Sequence, residues 1–327
     1  MEVSGLNSNF FNQEKINDAC SLRQNFSKIY RLCETGQIIC EVSVPAGIGR
    51  PVELAVIADT HINKTDDIDE KDSELYITRR RRFYHTFNGV SVKAVENSLE
   101  VCKNFSKTVV LGDIIDYCSH GALALAKECL FDKDVICIPG NHEYLKQVET
   151  GLPEKTPLCK KEALLKEFWP NDLHFVKCEL SEDLVLLGLD NGSGHFWDGT
   201  YEKLLFEIEK ANKNNQKIII AQHIPFAAEN SDGDASLADW GFEIQEYNFN
   251  QSGCVLAGVD YAEYDKKILD LLTDNSDTVV SILAGHLHSF FKTTVSGKNG
   301  NKNIPQYTLA APIFEGFCGL VTVVKIY

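Results

Sequence analysis

Val109-Val110-Leu111-Gly112-Asp113-Ile114-Ile115-Asp116 is an apolar run that meets a glycine and delivers a carboxylate at its end. Four other stretches repeat that form. Val56-Ile57-Ala58 leads to Asp59-Thr60-His61, and Val135-Ile136-Cys137-Ile138-Pro139 to Gly140-Asn141-His142-Glu143. Ile218-Ile219-Ile220-Ala221 leads to Gln222-His223, and Ser281-Ile282-Leu283-Ala284 to Gly285-His286-Leu287-His288. Strands covered on both faces read as continuous apolar runs, and ligands of α/β sheets collect at the carboxyl ends of their strands. Five strand ends are therefore expected to bring Asp, His and Asn together. A set of oxygen and imidazole donors without thiolates suits a fairly hard divalent cation.

The spacing supports that reading. In an extended segment residues i and i+2 point to one side, so Asp59 and His61 can reach one ion, as can His286 and His288. One such pair is weak evidence, and a lone histidine is more often a hydrogen-bonded structural residue than a ligand. Both pairs, with Asp113, Asn141 and His223 at further strand ends, reverse that balance.

The rest of the chain sets the frame. Its 327 residues, 44% hydrophobic and 24% charged, are ordinary globular composition. No apolar run is long enough for a bilayer and no basic-then-apolar signal follows Met1, so a cytoplasmic location is expected. The eleven cysteines are odd in number and form no CxxC, which favours reduced, buried thiols over disulfides or a Cys-based zinc site. A formal charge of −15 opposes a long polyanionic partner, because nucleic-acid affinity comes chiefly from basic phosphate contacts.

Residues 1–50 are a polar, Asn-rich opening, a helix near Gln13 to Cys33 and an alternating strand from Gln37 to Val44, read as an appendage packed on a main domain of 51–327. From Glu53 the pattern becomes strand, loop, helix, repeated. Val92, Val95, Leu99, Cys102 and Phe105 recur at helical spacing, and Tyr201, Leu204, Leu205 and Ile208 do so after a candidate cap at Thr200. After His288 the character is all strand. The fold class is thus layered α/β: a central two-sheet sandwich flanked by helices, with long insertions near 63–89 and 227–261.

In order, Asp59-x-His61, Gly112-Asp113-x-x-Asp116, Gly140-Asn141-His142-Glu143, His223 and Gly285-His286-x-His288 resemble the signature of the calcineurin-like metallophosphoesterase superfamily over residues 59–288. The resemblance implies two divalent ions, with Mn, Fe, Zn and Ni all compatible with the donors. One is held by Asp59, His61, Asp113 and His288, and the other by Asp113, Asn141, His223 and His286. It implies further that a hydroxide bridging the ions attacks phosphorus while His142 assists the leaving ester oxygen. Glu143 and Asp116 are expected to orient neighbouring groups, with helix capping or a surface position as the alternative. Tyr117-Cys118 stand where the phosphoprotein phosphatase branch carries Arg and Gly, and Asp116 where purple acid phosphatases carry Tyr. A small phosphate mono- or diester is the expected substrate. A nuclease and a catalytically silent metal-binding scaffold are the alternatives.

Substrate selection is expected from the insertions. Arg79 and Arg82 in the run Arg79 to Arg82, with His85, are candidate phosphate clamps, although the same run also reads as a solvated helix face. Trp240 lies in an aromatic and acidic segment read either as a lid or as its own small core. His120, close behind the Asp116 loop, is a candidate lining residue, and Asp190 and Asn191 end another apolar run at the rim.

Overall fold

The computed structural model describes residues 13–15, 28–32, 37–64, 66–69, 91–144, 158–227, 231–233, 262–288, 290–296, 303–311 and 319–327. In chain order the elements are β1 (Gln13–Lys15), β2 (Lys28–Leu32), β3 (Ile38–Val44), β4 (Val52–Ile57), α1 (Ser91–Cys102), β5 (Thr108–Leu111) and α2 (His120–Ala126), which runs on into a π-helical turn, Lys127–Phe131. Then follow β6 (Val135–Ile138), α3 (Asn141–Tyr144), α4 (Leu158–Phe168), β7 (Phe175–Glu179), β8 (Leu184–Leu189), α5 (Thr200–Asn214) and β9 (Lys217–Ala221). The last are β10 (Ser231–Gly233), α6 (Glu263–Asp274), β11 (Val279–Ala284), β12 (Phe291–Ser296), β13 (Asn303–Thr308) and β14 (Leu320–Ile326).

Among the described residues these strands form two mixed sheets, ordered β1-β2-β3-β14-β4-β5-β6 and β10-β12-β13-β11-β9-β8-β7. In the first, β4, β5 and β6 run parallel. In the second, β8, β9, β11 and β13 do so. Side chains alternate between two buried environments, which is why these strands read as unbroken apolar runs. Val109 and Leu111 of β5 point between the sheets, where they meet Leu186, Ile219 and Leu283, while Val110 points outward to the helices. On that outer face α1, α2 and α4 cover the first sheet through Val95, Leu123 and Leu165. Leu204 and Ile208 of α5, with Ile268 and Leu272 of α6, cover the second. The layered sandwich expected from the pattern is the observed one.

Two local expectations are corrected. Gln13 to Cys33 is not helical where it is described: β1 and β2 pair antiparallel there, and β2 pairs with β3. The free edge of β3 supplies a hydrogen-bond ladder, and such tertiary context overrides a weak local helical pattern. β3 itself is bonded in register to β14 along its whole length, so residues 38–44 are integral to the first sheet. Thr200 is not a cap either. Gly199, in the left-handed region at φ 100°, precedes the helix, and the Thr200 hydroxyl is buried without a hydrogen-bond partner.

Cys40, Cys102, Cys118, Cys129, Cys137 and Cys178 are free thiols, and burial pushes Cys102 and Cys118 up to about 12. No helix among the described residues is long and apolar enough to cross a membrane.

The first sheet ends at β6, whose edge is closed by a side chain. Asn171 accepts from the Cys137 amide at 2.8 Å and donates to its carbonyl at 3.0 Å, imitating a neighbouring strand. Replacing Asn171 with Ala strips that amide of its acceptor, so Asn171→Ala is expected to lower stability by about 1–3 kcal/mol. Chemical denaturation checks this, with metal content expected to stay at the wild-type level.

Candidate metal centre

The carboxyl ends of the parallel strands in both sheets meet at one place. The loops after β4 and β5 are zipped together by backbone bonds: Asp59 N to Gly112 O, His61 N to Asp113 O and Ile62 N to Ile114 O, at 2.8–3.1 Å. From the other sheet, Gly285 N donates to His223 O at 2.9 Å. The sheets are then joined across the gap, because the Asp59 carboxylate accepts from the backbone amide of His286 at 2.9 Å.

Donor atoms of Asp59, His61, Asp113 and His288 lie within 4.8 Å of one another, and those of Asp113, His223 and His286 form a second such group. Asp113 belongs to both. Asn141 joins the second, its Oδ1 standing 3.0 Å from His223 Nε2. All seven side chains proposed from the sequence are thus in one cluster, with Asp59, His61, Asp113 and His223 almost wholly inaccessible and Asn141, His286 and His288 half-buried.

Backbone strain marks the same residues. Asp59, His61, Asp113, His286 and His288 have φ between 45° and 73°, and among the described non-glycine residues only Asn215 shares that region. Left-handed backbone is costly for such side chains and persists where the surroundings impose it. Gly112 and Gly140 are constrained by the same packing. A Cβ on Gly112, itself at φ 78°, would stand 2.5 Å from the His223 imidazole, and one on Gly140 would collide with Asp113. Both are glycine because donors pack directly on them.

The donors fit a pair of divalent cations. His223 Nδ1 faces the Leu111 carbonyl at 2.7 Å, so it must donate, which leaves Nε2 toward the oxygens of Asn141 and of Asp113 at 3.2 Å. Burial opposes a charge on this ring, yet the Asp113 carboxylate outweighs it and lifts His223 to about 9. A proton therefore takes the place that a cation would fill. Burial and the neighbouring His223 bring His286 down to about 3, and its buried Nδ1 has no hydrogen-bond partner. His61, lowered to about 4 by burial and His142, sets its Nε2 3.0 Å from His288 Nε2. The His61 and His286 rings, kept neutral, present nitrogens of the kind a divalent cation takes as donors. Burial works against the Asp113 carboxylate, but His142, His223 and His61 hold it well below the usual range.

His142 stands beside this cluster. Its Nδ1 meets the Asp116 carbonyl at 2.6 Å and the Asp116 carboxylate at 3.3 Å, while Nε2 lies 3.7 Å from Asp113 Oδ2. Asp116 Oδ1 also lies 3.6 Å from His61 Nδ1, so one carboxylate addresses both rings. Asn63 donates to Asp116 at 3.1 Å and accepts from the Tyr117 hydroxyl at 2.8 Å. Sequence reasoning missed Asn63 and Tyr117, although Tyr117 directly follows the Asp116 loop. Glu143 is wholly buried and accepts from the backbone amides of Gly140, Asp113, Ile114 and Ile115 at 2.6–3.1 Å. Neither carboxylate is a surface group.

The His120 ring pairs with Asp66 at 2.5 Å and meets Phe168 edge-on, and the His120 amide donates to Asp69 at the start of α2. Arg79, Arg82, His85 and Trp240 fall outside the described residues, as does most of both insertions. Asp190 and Asn191, read as rim residues, are buried.

Solved structures similar to this chain include a dimetal phosphatase from Danio rerio, at 14% identity, 80% coverage of this chain, 88% of that chain and a TM-score of 0.44. PhoD is similar at 9% identity, 85% and 60% coverage and a TM-score of 0.45. The purple acid phosphatase PPD1 from yellow lupin (Lupinus luteus) is similar at 13% identity, 88% and 49% coverage and a TM-score of 0.43. No curated protein matches the sequence. The calcineurin-like phosphoesterase family model matches residues 52–290, a span that holds every donor described above. The chain belongs to the calcineurin-like phosphoesterase family and is a hydrolase acting on phosphoric ester bonds.

Proposed function

We propose that the protein is a dinuclear metal-dependent phosphoesterase acting on a small phosphate mono- or diester. One ion is assigned to Asp59, His61, Asp113 and His288, and the other to Asp113, Asn141, His223 and His286. The observation that carries this reading is the sharing of Asp113 by two donor groups, since a common anion offsets the repulsion of two closely spaced cations. Such a pair, when bound, generates a nucleophile from water near neutral pH and stabilises charge growing on the phosphoryl oxygens.

The chain's own residues supply the rest. His142 donates from Nδ1 to the Asp116 carbonyl, which leaves Nε2, on the Asp113 side, to deliver a proton to the departing ester oxygen. The Asp116 carboxylate beside Nδ1 fixes the direction of the ring. Glu143 keeps the Asp113 and Asn141 loops in a single arrangement, so the donors need little reorganisation. The net charge of −15 supports a small substrate over a nucleic acid.

Metal analysis combined with hydrolysis of a chromogenic monoester and diester in added Mn²⁺ tests the proposal. Metal-dependent turnover of either is expected, and bound metal without turnover of any ester would overturn it. Asp113→Asn is expected to lose both ions and to drop kcat/KM by more than about 100-fold. His142→Ala is expected to keep both ions while kcat falls about 10²–10⁴-fold. That fall should be larger for an alkyl ester than for p-nitrophenolate, which leaves without a proton; equal losses would remove His142 from the leaving-group role. Because a proton sits on His223 up to about pH 9, loading its site displaces that proton, and affinity for this ion is expected to rise from pH 7 to 9. Titration calorimetry in buffers of different ionisation enthalpy reads that release.

A further inference from the structure

The parallel strand β8 lies beside β9, yet its end supplies no donor to either group. What it supplies instead are two neighbouring side chains that reach in different directions. Asn191, wholly buried, donates from Nδ2 to the Ile224 carbonyl at 2.7 Å and accepts from the Ile224 amide at 3.0 Å. Both backbone groups of the residue after His223 are thereby held by one primary amide. Asp190 reaches α3 instead, its Oδ2 accepting from the Tyr144 hydroxyl at 2.8 Å, and α3 begins with Asn141. His174 Nδ1 and the Gly192 amide anchor that carboxylate from behind, at 2.7 and 3.1 Å. Next in the chain, Gly192 lies against the Gly140 carbonyl so closely that a Cβ there would overlap it.

We propose that Asp190 and Asn191 are positioning residues for one half of the centre: together they set the separation of Asn141 and His223, two of the three donors that only the second ion uses, His286 being the third. The inference rests on the dinuclear reading above. Asn141 Oδ1 and His223 Nε2 stand 3.0 Å apart on loops from different sheets, and among the described residues no backbone hydrogen bond joins those two loops directly. The end of β8 touches both. Asp59 and His61 are oriented from other directions, through Gly112, Asp113 and Asp116, and the His288 ring lies against His61 and Asp59.

Stepwise Mn²⁺ titration with metal counting on the folded protein tests this, with His223→Ala and His288→Ala as references for the two ions. Asn191→Ala is expected to weaken one ion about 10–100-fold and to leave the other unchanged, since partners behind a ligand contribute on that scale. Combined with His223→Ala it should add no further loss at that ion, whereas combined with His288→Ala it should weaken both. Tyr144→Phe, which deletes only the hydroxyl on Asp190, is expected to weaken the same ion to a smaller degree, and it serves if Asn191→Ala does not fold. General destabilisation would lower Tm without choosing between ions, so equal weakening of both ions overturns the proposal. No change in either variant overturns it also. If His223→Ala itself leaves both ions at wild-type affinity, the dinuclear reading has failed, and this inference falls with it.

Discussion

The Glu143 carboxylate, wholly buried, gathers the backbone amides of Gly140, Asp113, Ile114 and Ile115, and the remainder of the centre depends on that convergence. Two loops from adjacent strands would otherwise carry four buried amides without acceptors. Satisfying them with an ion concentrates strong, charge-assisted bonds where the backbone is least regular. The arrangement has a cost: burial and the nearby Asp113 carboxylate raise Glu143 above the ordinary carboxylate range. A second acid is thus kept close to Asp113 for the sake of loop geometry, and the cluster of histidines around Asp113 absorbs the electrostatic consequence.

The same trade recurs in the backbone. Five donors sit in left-handed conformations, each costing on the order of 1–2 kcal/mol. The sandwich core, with Leu111, Leu186, Ile219 and Leu283 buried between sheets, supplies the rigidity that maintains them. Strain at the strand ends turns side chains back toward the gap between the sheets, where a regular continuation of the strand would send alternate residues to opposite faces.

Primary amides serve repeatedly as substitutes for a missing strand. Asn171 caps β6, Asn191 holds Ile224, and Gln306 accepts from the Phe226 amide and donates to its carbonyl. An amide side chain, like a peptide group, presents an acceptor oxygen and an N–H donor, so it can end a ladder; the second N–H of Asn171 finds the Asp172 carbonyl and that of Gln306 the Thr293 hydroxyl. The residues just past β9 are held in this way at two places, Ile224 by Asn191 and Phe226 by Gln306.

Much of this was legible in the chain itself. Unbroken apolar runs ending in Asp, His or Asn identify buried parallel strands and the donors at their tips, because both the periodicity and the donor chemistry are local properties of the sequence. The seven clustered donors and the two-sheet sandwich follow from them. Only the tertiary structure decided what lies behind the donors. That Glu143 binds four amides, that Asp116 addresses two imidazoles and that Asn191 is buried against Ile224 depends on which loops face one another across the gap between the sheets. Strand pairing decided the fate of Gln13 to Cys33 in the same manner, since a sheet edge was available to receive it. Hydrogen-bond partners distant along the chain leave no periodic trace, and they exist only once the two sheets have packed.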